Sequence, residues 1–159
     1  MKRVYHGFGG KLHHDVPSWV RDDAIFHIRI RCDRAQIAPL TSPEIAHLLL
    51  ESARFYQSQQ RWWLNVFLLM PDHLHALISF PQDEKMIEVV RSWKRYHARN
   101  NGIQWQENFF EHRVRNHDGQ LQEKRDYILR NPVALGLCAT VEDWPWRYTN
   151  EDGLPETRP

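Results

Sequence analysis

Leu68-Leu69-Met70-Pro71-Asp72-His73-Leu74-His75-Ala76-Leu77-Ile78 sets two apolar runs around a Pro-Asp pair. Pro favours the second position of a type I turn and Asp tolerates turn geometry, so Met70–His73 reads as a tight connection. The runs on either side, Trp62–Leu69 and His73–Phe80, then become paired antiparallel strands. Strand side chains alternate between faces, so His73 and His75 project the same way, about 7 Å apart along the strand. That is a chelating geometry on a rigid element. The plainer reading is a pair of partly buried, hydrogen-bonded histidines. The face continues with Leu77 and Ser79 rather than with charged residues, which favours a site. A metal needs further ligands, and no second histidine cluster of fixed spacing is visible; two imidazoles completed by oxygens are the donor set considered. Such a donor set suits Mg²⁺ or Mn²⁺, or an open Zn²⁺ site, better than a closed structural Zn²⁺.

Upstream, Ile25–Cys32 alternates, with Phe26, Ile28 and Ile30 on one face and His27, Arg29 and Arg31 on the other. It predicts a strand with one buried and one basic face. Ser42 is a candidate N-cap with Pro43 at the first helical position, and Ile45, Leu48, Leu49 and Ser52 recur at helical spacing to about Gln59. Beyond the hairpin, Asp83 can cap a second helix running through about Asn100. Phe109–Arg115 alternates as a short edge strand, and Asn116–Gly119 is a turn signal. A third helix follows from about Gln120 to Arg130, ending at Asn131-Pro132 because the residue before proline is pushed out of helical geometry. The order β-α-β-β-α-β predicts an α+β class with a ferredoxin-like split βαβ antiparallel sheet and helices on one face. The third helix is additional, free to pack across the open face.

At 159 residues the chain suits one domain spanning 1–159, with an irregular arm at 1–16 and a tail at 133–159. The tail carries Trp144, Trp146 and Tyr148 around Pro145, too aromatic to float free before about Asn150. No apolar run approaches a membrane span, and Met1–Gly10 has no signal-peptide core. Cys32 and Cys138 are far apart and in no metal-like spacing, as in a cytosolic protein with reduced thiols. The net charge of +1 is unevenly spread: Arg91 to Arg130 holds nine Lys or Arg against five acids, or +4, whereas Glu142 onward is −3. Arg91, Lys94, Arg95, Arg99, Arg113, Arg115, Lys124 and Arg130 are therefore candidate contacts for a polyanion, the alternative being a solvated helix face. Trp105, Phe109, Phe110 and Trp144 are candidate stacking platforms for unpaired bases, with core packing the alternative; Trp62, Trp63 and Trp93 read as core.

Tyr127 and Asn131 stand at i and i+4 on the third helix, one above the other. A tyrosine hydroxyl is a competent nucleophile when it is activated or its leaving group is stabilised. On the residues alone, Tyr5, Tyr56, Tyr96 and Tyr148 compete with it, and a boundary residue is the simpler role.

Met70-Pro71-Asp72-His73-Leu74-His75, Trp105-Gln106-Glu107-Asn108-Phe109-Phe110-Glu111-His112-Arg113-Val114-Arg115-Asn116 and Asp126-Tyr127-Ile128-Leu129-Arg130-Asn131-Pro132-Val133 occur in that order. Together they resemble the REP-associated tyrosine transposases of the HUH single-tyrosine superfamily, as does Trp144-Pro145-Trp146. The resemblance runs from about Pro17 to Tyr148. It implies His73 and His75 as ligands of a divalent metal, Mg²⁺ or Mn²⁺, with Asn131 completing the site and Tyr127 as nucleophile. Asp72 stands where the family usually has Asn. The implied activity is cleavage and rejoining of single-stranded DNA with REP-like hairpins through a 5′-phosphotyrosine link. Monomers and homodimers that exchange the tyrosine helix both occur in the family. The implied location is the bacterial cytoplasm, at the nucleoid. A domesticated repeat-hairpin binder that does not cut is the second reading, and a small metallohydrolase, lacking a visible general base, the third. The first reading requires His73, His75 and Asn131 to converge, with Tyr127 alongside.

Overall fold

The computed structural model describes residues 19–114 and 119–151. The expected arm at 1–16, Arg115, the start of the expected turn at Asn116 and residues 152–159 lie outside the described residues. The elements are β1 (Val20–Arg31), α1 (Pro43–Ser58), β2 (Trp63–Leu69), β3 (His73–Pro81), α2 (Met86–Asn101), β4 (Phe110–Val114), α3 (Gln120–Ala134) and β5 (Arg147–Thr149). A short 3-10 turn, Val141–Asp143, precedes β5.

The central hairpin forms where the Pro-Asp pair placed it. Leu69 pairs with Leu74 and Leu68 with His75, and the Met70 N–H donates to the His73 carbonyl at 2.8 Å. All strand pairs are antiparallel, in the order β4-β1-β3-β2-β5. The first four strands with α1 and α2 make the split βαβ pattern.

Alternation of side chains gives the sheet two buried faces. Ile28, Ile30, Phe67, Leu69, Leu74, Ala76 and Ile78 pack with Leu49, Val90 and Trp93 of α1 and α2. Val66, Leu68, Met70, Leu77 and Val114 pack with Ile128 of α3 and with Trp144. A bulge in β2 reconciles the two sets. Leu64 pairs with Ile78 but Val66 with Leu77, so Asn65 is an extra residue and the phase of the strand inverts after it. Ile128 is wholly buried, and burying such an aliphatic side chain contributes roughly 1.5–3 kcal/mol. Leu121 and Leu129 of α3 pack in part against the same cluster.

The structure departs from the expectations at several places. β1 begins at Val20 rather than Ile25. α2 starts after Lys85, with no side-chain cap, rather than at Asp83. β5 adds an edge strand from the tail, pairing Leu68 with Arg147 and Val66 with Thr149. Trp144 is not a stacking platform: it is buried, and its indole N–H donates to the Leu69 carbonyl at 2.9 Å. Finally, α3 does not stop at Asn131-Pro132. Proline lacks one donor and only biases the residue before it. The Leu135 N–H donates to the Asn131 carbonyl at 3.1 Å and the Leu137 N–H to that of Pro132 at 2.9 Å. Gly136, in the left-handed region at φ 72°, ends the helix instead.

Candidate active site

The site is built on the face of the sheet that α3 covers. β1 and β3 are neighbours, with Arg29 opposite His75 and Arg31 opposite His73. β4 lies on the other side of β1, with Phe110 opposite Arg29 and His112 opposite His27. His27, Arg29, Arg31, His73, His75, Phe110 and His112 therefore share one face. Among the described residues, no group of three or more His, Cys, Asp and Glu stands ready to hold a metal ion. Among the described residues, a third donor beside His73 and His75 would come from another residue type.

α3 brings a carboxamide to this place. The Asn131 carboxamide Nδ2 lies 2.9 Å from His75 Nε2, and the rings of His73 and His75 are 4.9 Å apart at 80°. One turn before Asn131, the Tyr127 ring stands 6.4 Å from the His75 ring, edge to face. Tyr127 is 59% exposed. The Lys124 ammonium is 5.7 Å from the same ring. A cleft of about 410 Å³ between β4 and α3 is lined by His112, Val114, Gln120, Glu123, Lys124 and Tyr127.

The hydrogen bonds give these imidazoles an order. His73 Nδ1 is 2.6 Å from Asp72 Oδ1, and the carboxylate can only accept, so Nδ1–H donates and Nε2 keeps its lone pair. When the Asn131 amide donates to His75 Nε2, the His75 proton must sit on Nδ1, which lies 2.9 Å from His27 Nε2. His27 then carries its own proton on Nδ1, a buried atom with no hydrogen-bond partner. Leaving such a donor unpaired costs about 1–3 kcal/mol.

Burial pushes His75 down to about 3, assisted by the charges of His73, His27, Arg29 and Arg31. Burial likewise pushes His27 to about 4, with Lys124, Arg29 and His112 adding to it. His73 is lowered by burial against the opposing pull of Asp72. Asp72 is held below its usual value chiefly by the His73 hydrogen bond. All three imidazoles are neutral at pH 7, as metal ligation requires. Two neutral imidazole lone pairs and a carboxamide, whose oxygen and nitrogen exchange by a half-turn, fit a borderline-hard divalent cation.

The expected cations divide. Lys124 lies at the site, Arg130 is exposed on α3, and Arg113 alternates onto the opposite face from His112. Arg91, Arg95 and Arg99 are exposed on α2, which packs on the far side of the sheet from the histidines. Lys94 is a correction, because it is not a surface cation. It is buried, and its ammonium donates to the carbonyls of Gln106 at 2.8 Å and Glu107 at 3.0 Å. The segment after α2 folds over it, as helical periodicity alone could not foretell. Of the expected stacking residues, Phe109 and Trp105 pack on the core and Phe110 stays 44% exposed. The Arg29 guanidinium lies 5.0 Å from the Phe110 ring centre. His27, Arg29 and Arg31 were visible in sequence only as the basic face of a strand; their place beside His75 needed the strand order.

No protein-family model matches the sequence. The chain is 26% identical over 130 residues to a REP-associated tyrosine transposase of Escherichia coli K12, covering 80% of this chain and 76% of that protein. A Haemophilus influenzae protein likewise described as a REP-associated tyrosine transposase is 29% identical over 109 residues, covering 57% of this chain and 61% of that one. A solved REP-associated tyrosine transposase bound to a REP hairpin superposes with a TM-score of 0.65 at 26% identity. That match covers 86% of this chain and 82% of the other.

Proposed function

The chain belongs to the REP-associated tyrosine transposases, and from that premise we propose that it cuts and rejoins single-stranded DNA at hairpin-forming repeats. The observation that carries this reading is the 2.9 Å approach of Asn131 to His75, with Tyr127 one helical turn away in the same chain. A single α3 thus supplies both the third donor and the nucleophile. Because α3 rests on β2, β3 and β4 of its own chain, a monomer would suffice. The solved relative's bound REP hairpin supports a hairpin partner here, and such a partner would place the protein at the bacterial nucleoid.

His73, His75 and Asn131 would hold a divalent cation, Mg²⁺ or Mn²⁺, which when bound supplies Lewis-acid charge to the scissile phosphate. The Tyr127 hydroxyl oxygen attacks phosphorus and gives up its proton to water. The phosphorus–O3′ bond breaks, the departing oxygen takes up a proton as a 3′-OH, and the other fragment remains linked as a 5′-phosphotyrosine. Lys124 sets positive charge beside the attacking phenol, where negative charge gathers. The cleft between β4 and α3 takes the nucleotide next to the cut. Rejoining reverses these steps with a different 3′-OH and needs no energy source, because the phosphotyrosine conserves the bond.

Incubating a labelled hairpin single strand with the protein and Mn²⁺ tests this directly. A denaturant-stable protein–DNA adduct is expected, absent with chelator and absent in Tyr127→Phe. An adduct of equal yield from Tyr127→Phe sinks the assignment. The second reading is a binder that does not cut. It would be favoured if His73→Ala left hairpin binding unchanged and no metal produced cleavage.

A further inference from the structure

We propose that His27 is a positioning residue that fixes the tautomer of His75, and through it the direction in which the site presents a lone pair. The inference rests on the metal-site reading above but concerns a residue outside the ligand set. His27 comes from β1, the neighbour of β3, and its Nε2 sits 2.9 Å from His75 Nδ1. The two rings lie edge to edge and near-coplanar, at 22° with centres 5.2 Å apart, so the contact is held in both distance and plane. Phe110 closes the far side of His27 edge-on, with ring centres 5.7 Å apart. Both histidines are buried.

A neutral imidazole has one donor nitrogen and one acceptor. For His75 to offer Nε2 to a cation beside Asn131, its proton must lie on Nδ1 and be accepted there. Asp72 performs that service for His73 at 2.6 Å. Among the described residues, the hydrogen-bond partner at His75 Nδ1 is His27 Nε2. A carbonyl or carboxylate is the usual outer partner of a metal-binding histidine. Here an imidazole fills that place, and its cost is visible: accepting at Nε2 forces the His27 proton onto Nδ1, which is buried and unpartnered. The orphaned atom is thus the far end of a directed chain running from the Asn131 amide through His75 to His27.

The test has one arm without metal and one with it. In metal-free wild-type protein at neutral pH, nitrogen-15 NMR of the imidazoles should show His75 with its proton on Nδ1 and a bare Nε2. The opposite tautomer overturns the proposal without any variant. His27→Gln keeps an acceptor oxygen and should preserve the tautomer. His27→Phe and His27→Leu remove it and should release His75 into a mixture. In the second arm, Mn²⁺ titration should show ten- to hundredfold weaker binding for His27→Phe, the usual range for losing an outer partner. His27→Gln should restore it, and thermal melting should show both variants folded. Wild-type Mn²⁺ affinity in His27→Phe with an unchanged tautomer overturns the proposal alone. Absence of Mn²⁺ binding in wild type, unchanged in His75→Ala, overturns the metal reading and the proposal with it.

Discussion

His97 shows what an imidazole does in this fold when it serves packing instead of chemistry. It is fully buried on α2, where the Ser52 hydroxyl lies 2.6 Å from Nε2 and the Asn101 amide 2.8 Å from Nδ1. Burial pushes its pKa down to about 4 from an ordinary 6.5. The native state therefore holds fewer protons there than the unfolded chain between those values. Stability is full above pH 6.5 and is lost as pH falls toward 4, by roughly 3 kcal/mol at most. His97→Gln should flatten that part of the stability–pH curve, measured by urea unfolding at stepped pH. A curve of unchanged slope would assign the acid sensitivity elsewhere. Asp72 acts at the same scale: its carboxylate accepts from His73 and stands 3.9 Å from the Arg31 guanidinium, so its extra negative charge relative to Asn is shared with a cation.

At the scale of elements, α3 is held by a clasp as well as by Ile128. Arg125 is buried, and its Nη1 donates to the Asn65 carbonyl at 3.1 Å, to Asn65 Oδ1 at 2.7 Å and to Asn150 Oδ1 at 3.1 Å. Its other guanidinium nitrogen is 3.5 Å from Glu151. Asn65 is the extra residue of the β2 bulge and Asn150 follows β5, so one guanidinium ties the tyrosine helix to the bulge and to the end of the edge strand. Arg125→Ala should destabilise the protein by about 2–4 kcal/mol, because it strands buried acceptors. Amide hydrogen exchange should show the loss first in α3. Faster exchange confined to α1 or α2 would be the wrong outcome. The helix's passage through Pro132 matters equally, since it keeps Asn131 in register above Tyr127.

Across the whole molecule, the sheet separates two faces of different composition. α1 and α2 close one face around Trp62 and Trp93. The other carries the histidines, Arg29, Arg31 and the cleft beside Lys124. If DNA lies along this second face, replacing Arg29 and Arg31 with Ala should reduce the log–log salt slope of hairpin binding by about one per lost phosphate contact. Replacing Arg91, Arg95 and Arg99 on the far side should leave it unchanged. Equal effects from both sets would place the DNA elsewhere.

The hairpin, the split βαβ order and the shared face of His73 and His75 could be read from the chain, because alternation and turn chemistry are local properties. The i to i+4 spacing of Tyr127 and Asn131 was equally legible. Periodicity says which residues share a face of their own element, but not which element lies alongside. Only the tertiary structure made β1 the neighbour of β3, which carried His27 from a basic strand face to the back of His75. Only packing took α3 past Pro132, since the buried face of the helix and the carbonyl partners of its last turn outweigh a bias at one residue. Lys94 turned inward for the same reason, its ammonium being satisfied by carbonyls of a segment that periodicity could not position. Local pattern in the chain was sufficient for the parts of the candidate site and the faces that carry them. Strand order, the Asn65 bulge and the seating of α3 decided that they meet, because those depend on contacts between residues far apart in the chain.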